Sequence, residues 1–223
     1  MNEQLIKDLY STGAHNGYSR TKRHPSVTPY LYGTRNRSDI INLEKTAAQI
    51  DRAIVFLKEV TAAGGEILFV GTKPEAKKLI MEGSLTIDRP YVEQRWIGGT
   101  LTNFPEINKR ISTMNELLKK QALGELIYKT KKEKLMLERK IAKLQRMFSG
   151  LRDFSGKPKA LIVIDPKKEH IAVDEARKRN IPIVALANTD CDLSLVQYPI
   201  VANDSSRDTI DLFLKQILAT CTK

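Results

Sequence analysis

No stretch of this sequence approaches the roughly 18 uninterrupted apolar residues of a membrane span. The opening residues, MNEQLIKDLY, have neither a basic-then-apolar signal pattern nor Arg/Ser-rich transit character, so neither secretion nor membrane insertion is expected. Two cysteines, Cys191 and Cys221, are too few for a disulfide scaffold and lack metal-ligand spacing, so a reducing compartment fits. Three histidines, His15, His24 and His170, lie far apart, and neither cysteine neighbours one. There is no Gly-x-Ser-x-Gly elbow and no dinucleotide fingerprint. Acidic residues are also in short supply: 26 Asp+Glu against 37 Lys+Arg leave a net charge of +11 over 223 residues. A 41% hydrophobic content is enough for a core.

The excess charge is concentrated. Residues 1–37 hold six basic and two acidic residues, residues 104–150 hold twelve and five, and the remainder is balanced at nineteen of each. Charge gathered this way suits a polyanion, because each phosphate neutralised releases counterions. Residues 1–39, with Gly13, Gly17, Pro25, Pro29 and Gly33, read as a loop-rich basic arm. Its composition predicts that much of it is unordered before assembly. Tyr18, Tyr30 and Tyr32 stand among its cations, either to stack on bases or to anchor the arm.

Beyond the arm, apolar spacing at Leu43, Ala47, Ile50, Ile54 and Leu57 predicts an amphipathic helix ended by Gly64-Gly65. Residues 67–70 and 160–164 read as strands buried on both faces, 91–96 and 181–187 as further strands, and 199–201 as an edge strand. Thr72 and Glu75 form a capping-box pattern before a helix reaching about residue 82. Residues 168–179 read as a helix packing through Ile171, Ala172 and Ala176, and Asp204-Ser205-Ser206 caps a closing helix. Strands alternating with helices predict an α/β fold with a mostly parallel sheet flanked by helices. Residues 40–103 and 152–223 would form this domain. Residues 104–151 interrupt it with two apolar seams, Phe104, Ile107, Ile111, Met114, Leu118 and Leu137, Ile141, Leu144, Phe148, Leu151. These predict an inserted, projecting antiparallel coiled-coil hairpin, with Gly124 and the basic stretch Lys129 to Lys134 between its arms.

An α/β sheet places ligands beyond its strand ends. Gly71-Thr72-Lys73 could hold a phosphate at a helix N-terminus or simply cap it. Asp165, Asp190, Asp192 and Asp204 could converge on Mg²⁺ or serve as turn and cap residues. These give an enzymatic alternative. A membrane-surface alternative would use the basic hairpin, whose apolar residues the seams absorb.

The run Arg95-Trp96-Ile97-Gly98-Gly99-Thr100-Leu101-Thr102-Asn103 resembles the signature of the ribosomal protein two family of the small subunit. In the same order come residues 13–17 (GAHNG), 40–46 (IINLEKT), 68–73 (LFVGTK), Ile164-Asp165-Pro166 with Glu169-His170, and 180–186 (NIPIVAL). The resemblance covers essentially the whole chain. It implies a flavodoxin-like sheet carrying a helical hairpin. It implies a non-enzymatic structural constituent of the small ribosomal subunit, bound to small-subunit rRNA beside neighbouring small-subunit proteins, in a bacterium or an organelle with its own genome. In many bacteria it also implies docking of ribosomal protein one. The sequence departs from the family pattern at Tyr18, where a histidine is usual, at 188–192 (NTDCD), at Val201-Ala202 before Asn203-Asp204, and in stopping at Lys223 without an acidic extension. The expected RNA-binding residues are Arg20, Lys22, Arg23, Arg35 and Arg37 on the arm, Arg95, Trp96, Thr102 and Asn103 at the hairpin root, and Lys109, Arg110, Lys140, Lys143 and Arg146 on the hairpin. Trp96 either stacks on a base or braces the root, and Gly98-Gly99 allow close backbone approach to RNA or to the sheet. No metal, cofactor, membrane or small-molecule substrate is expected.

Overall fold

The computed structural model describes residues 3–128 and 130–221. Lys129, within the basic stretch between the seams, and the terminal Lys223 lie outside the described residues. The elements run α1 (Glu3–Ser11), β1 (Asn16–Ser19), β2 (Leu31–Arg35), β3 (Ser38–Ile41), α2 (Leu43–Ala62), β4 (Ile67–Val70), α3 (Pro74–Thr86), β5 (Tyr91–Val92), α4 (Phe104–Ala122), α5 (Lys131–Phe148), β6 (Ala160–Ile164), α6 (His170–Lys178), β7 (Ile183–Ala187), β8 (Tyr198–Val201) and α7 (Arg207–Cys221).

Strands β4 to β8 form one parallel sheet in the order β5-β4-β6-β7-β8. Counting these five strands from β4, the order is 2-1-3-4-5, the flavodoxin-like arrangement, so the fold is α/β as expected. Alternation along each strand sorts the core into two layers. Ile67, Phe69, Ile162, Ile164, Val184 and Leu186 pack against α1, α2, α3 and α7. Leu68, Val70, Leu161, Val163, Ile183 and Ala185 face the other way, onto α6 and the inner ends of α4 and α5. With both faces covered, the strands can be apolar throughout, and every residue of β4, β6 and β7 is buried.

Local differences have local causes. The side chain of Asn42 caps α2, accepting from the N–H groups of Glu44 and Lys45. At α3 the expected capping box does not form, because Thr72 gives its N–H and hydroxyl to Glu169, leaving Lys73 as N-cap. Strand β5 stops at Val92, short of the 91–96 that the sequence predicts. In α6 the buried face is Ala172, Val173 and Ala176, and Ile171 points outward. A capping box does occur at α5, between Thr130 and Glu133.

Residues 3–41 differ most from a loop-rich segment. Leu5 and Leu9 bury α1 in the main core. β1, β3 and β2 form a three-stranded antiparallel sheet in that order. Between β2 and β3 the chain reverses through Asn36 and Arg37, both with positive φ (50° and 64°), in a two-residue turn. Elements of four or five residues leave little periodicity to read. They are fixed by distant partners: Val27 and Ile41 pack with Ala187, Cys191, Leu193 and Val201, and the His24 N–H donates to the Thr189 carbonyl at 2.8 Å. This small sheet therefore lies over the C-terminal ends of β7 and β8.

α4 and α5 touch one another and lie between β5 and β6. Their seams are not closed on themselves: Ile107, Ile111, Met114, Phe148 and Leu151 join the cluster on the sheet face. Toward the far ends burial fades, and Leu123, Ile127, Leu135 and Met136 are exposed.

Candidate nucleic-acid interface

In a flavodoxin-like sheet the ligand crevice opens where the strand order reverses, here beyond the C-terminal ends of β4 and β6. That place is filled from within. The Lys73 ammonium lies 3.0 Å from Asp165 and 2.8 Å from Asp204. Burial opposes its charge, but the two carboxylates more than offset this and hold its pKa above the usual value. Asn188 donates to Asp204 at 2.9 Å. Tyr18 closes the top, its hydroxyl 2.7 Å from that of Ser205 and its N–H donating to the Thr189 hydroxyl. Gly17 is required beside it, since a Cβ there would fall 2.6 Å from the Thr189 methyl. Asp190 pairs with Lys167, and Asp192 caps the turn at Ser194. The strand-end aspartates thus act as pair, turn and cap residues. Among the described residues no group of three or more His, Cys, Asp or Glu has metal-binding geometry. Cys191 is buried, and burial pushes its thiol pKa up, away from reactivity.

The residues expected at RNA fall into three groups. On the small sheet, Arg20, Lys22, Arg35 and Arg37 are exposed, and among the described residues none of the four forms an ion pair. Lys22 lies over the Tyr18 ring, 5.6 Å from its centroid. Tyr32 stands 82% exposed near the turn, whereas Tyr30 packs inward, so one of the two ring roles is anchoring. Arg23 is different. Its guanidinium grips Asp39 through Nε at 2.7 Å and through Nη2, and Nη2 also donates to Thr34. The Asp39 side chain is fully buried, so Arg23 neutralises an internal carboxylate.

At the root, the signature loop is wound around a residue the sequence reading passed over. The Glu175 carboxylate on α6 accepts from Trp96 Nε1 (3.2 Å), the N–H groups of Gly99 (2.7 Å), Leu101 (2.9 Å) and Thr102 (3.1 Å), and the Thr102 hydroxyl (3.2 Å). Burial pushes its pKa up, but the Gly99, Leu101, Trp96 and Thr102 donors outweigh that and hold it below the usual carboxylate value. One helical turn on, Arg179 donates to the carbonyls of Leu101 (3.1 Å) and Thr102 (2.8 Å). The i, i+4 pair therefore holds both donors and acceptors of the loop. Trp96 is only 5% exposed and packs with Val92 and Leu101. Gly99, at φ +94°, supplies a backbone conformation that side chains rarely adopt. Arg95 and Asn103 are exposed at the rim, and Asn103 is the N-cap residue of α4 without a side-chain bond. In sequence Glu175 and Arg179 read as ordinary helix-surface charges, and only their spacing, one turn apart on the helix ahead of the fourth core strand, hinted otherwise.

On α4 and α5, Lys109, Arg110, Lys140, Lys143 and Arg146 are all exposed. Lys109 pairs with Glu106 on its own helix, and Arg146 reaches Gln94 at 3.4 Å. The exposed cations expected at RNA thus lie mainly on the small sheet and on α4–α5, while Lys73 in the crevice is paired.

Comparison with known proteins agrees with the sequence resemblance. A family model described as ribosomal protein S2 matches residues 9–223. The chain is 43% identical over 212 residues to the small ribosomal subunit protein uS2 of Mycolicibacterium vanbaalenii, covering 95% of this chain and 78% of that protein. The uS2 of Nocardia farcinica is also 43% identical over 212 residues, with 95% and 74% covered. That of Acidothermus cellulolyticus is 42% identical over 213 residues, with 95% and 78% covered.

Proposed function

The chain belongs to the ribosomal protein S2 family, and from that premise we propose that it seats itself on small-subunit rRNA through two basic surfaces, the β2–β3 turn region and the α4–α5 pair. Membership makes it a structural constituent of the small ribosomal subunit, at work in translation, as its bacterial relatives are in the cytoplasm. No helix among the described residues is long and apolar enough to cross a membrane. The observation that supports the rRNA reading is the separation of paired from unpaired charge. Among the described residues Arg20, Lys22, Arg35 and Arg37 face outward and form no ion pair, whereas Lys73 and Lys167 near the strand ends are paired with aspartates. Such contacts position a protein on RNA and add affinity without reading sequence.

In this reading α4 and α5 form a projecting hairpin that lies along RNA, and residues 3–39 act as a folded clamp. Arg95 and Asn103 meet RNA at the rim, while Trp96 and Thr102 brace the loop that aims α4. The role is non-enzymatic, with other small-subunit proteins as neighbours. Sedimentation of the tagged chain from its own lysate tests it. Co-migration with small subunits at low salt and release at high salt is expected. Migration as a free ~25 kDa species at both salts, beside intact ribosomes, would refute it. Docking of ribosomal protein one, which the resemblance implies for many bacteria, is read in the same fractions: that protein should leave subunits depleted of this chain.

A further inference from the structure

A concavity that the crevice and the two basic surfaces do not account for lies at the opposite end of the sheet from the filled crevice, where α4 begins. Its volume is about 480 Å³, within the ~300–1,000 Å³ range of small-ligand pockets. Leu101, Phe104, Pro105, Pro158 and Ile181 give it an apolar lining. Lys157, Lys159 and Arg179 supply its charge, and no carboxylate lines it. Among the described residues none of these three cations forms an ion pair. Glu66, which touches this segment, gives its carboxylate to the N–H and hydroxyl of Ser155.

The walls are held in place. Phe104 packs edge-on against Phe154, with centroids 5.3 Å apart at 81°. Gly156 lies so close to the Phe104 ring that a Cβ would sit 2.2 Å from it, and its φ of +80° favours glycine independently. The Lys159 N–H is fixed on the Glu66 carbonyl at 2.7 Å, and Arg179 on two loop carbonyls. An aromatic and aliphatic floor beside three cations without ion pairs among the described residues, Arg179 fixed by its side chain and Lys157 and Lys159 exposed, fits a flat ring that bears phosphate. The pocket also runs onto the basic face of α4, because Pro105 in its wall and exposed Lys109 are one helical turn apart.

We infer that this cavity takes one unpaired nucleotide of RNA, its base against Phe104, Pro158 and Ile181 and its phosphates at Lys157, Lys159 and Arg179. Folded RNA is read in this way, through bases splayed out of the helix onto aromatic side chains. The inference rests on the proposed seating on rRNA. It adds that the root of α4 receives a base, where the two basic surfaces receive only phosphates.

Lysine-reactivity footprinting of the full chain, free and assembled into small subunits, tests it. Lys157 and Lys159 should become at least fivefold less reactive on assembly. K157A/K159A should lower affinity for subunits lacking this protein about tenfold and flatten its salt dependence by roughly two charges. Phe104→Leu should lower affinity severalfold with the salt dependence unchanged, as expected for lost stacking. The lysine variant is on the surface and keeps the test open should Phe104→Leu fail to fold. Reactivity of both lysines equal to that in the free chain, with the small-sheet and α4–α5 lysines protected, would overturn the pocket and leave the seating intact. Protection accompanied by an amine crosslink from Lys157 or Lys159 to a neighbouring protein would assign the pocket to an acidic peptide and overturn a nucleotide. Failure of the wild-type chain to enter subunits would bring down the underlying reading itself.

Discussion

The crevice beyond β4 and β6 and the turn between β2 and β3 are both rich in charge, yet they use it in opposite ways. In the crevice Lys73 is divided between Asp165 and Asp204, and the small sheet roofs it. At the turn Arg35 and Arg37 face solvent and form no ion pair among the described residues. Charge neutralised inside a protein fixes its fold, and charge left open is available to a partner. The same α/β sheet that would suit an enzyme has here been sealed at its usual ligand position and bears cations elsewhere.

The comparison breaks most visibly at Lys73. Lys73→Met strands two carboxylates, one fully buried, and should cost about 3 kcal/mol, roughly 6–12 °C in Tm by thermal unfolding. Affinity for subunits, measured where the variant is folded, should change little. Glu175→Ala comes next. It leaves the donors of Trp96, Gly99, Leu101 and Thr102 without their acceptor and should cost about 2–3 kcal/mol.

Acid sharpens that result. Because the folded pKa of Glu175 lies below its ordinary 4.5, its contribution is present above that value and is lost as pH falls through the folded value. The Tm gap between wild type and Glu175→Gln should therefore narrow on acidification below about pH 4.5, and a gap constant from pH 7 to pH 3 would contradict the acceptor role of the Glu175 carboxylate.

Two arginines of the small sheet separate the roles within one surface. Arg23→Ala should cost about 2 kcal/mol, less than a fully buried pair because Arg23 is partly exposed. Arg35→Ala should change stability by less than about 0.5 kcal/mol while weakening binding to subunits. The smallest effect is also the most discriminating. Arg37 holds a φ of 64°, which costs a non-glycine residue about 1 kcal/mol. Arg37→Gly should thus raise Tm slightly and weaken binding, a divergence that a purely structural residue would not show.

Much of the fold could be read from the sequence because its core elements are periodic. The all-apolar strands at 67–70 and 160–164, the 4-3-4-3 helix from Leu43, and the helices α4 and α5 stand where periodicity places them, though the two seams pack largely on the sheet face. The segment of residues 3–41 was not legible. Its strands are four or five residues long, and its order comes from contacts such as His24 with Thr189 and Asn203 with Ala14, which no local pattern encodes. Thr72 shows the same limit: it fits a capping box, but Glu169, distant in sequence, takes its hydroxyl. At the candidate interface, charge clustering pointed to cations that the structure leaves exposed. The structural bonds of Arg23 and Thr102 were not legible, and Trp96 was left between stacking and bracing, because their partners Asp39 and Glu175 are defined only by burial.

The central claim, that binding charge and folding charge occupy separate places, is tested most directly by one salt titration. Affinity for small subunits lacking this protein would be measured between 50 and 400 mM salt, ranges set at about one Debye length of 14 down to 5 Å, for wild type, R35A/R37A and Lys73→Met. The account predicts a dependence shallower by roughly two charges for R35A/R37A and unchanged for Lys73→Met. An unchanged slope for R35A/R37A together with a shallower one for Lys73→Met would contradict it.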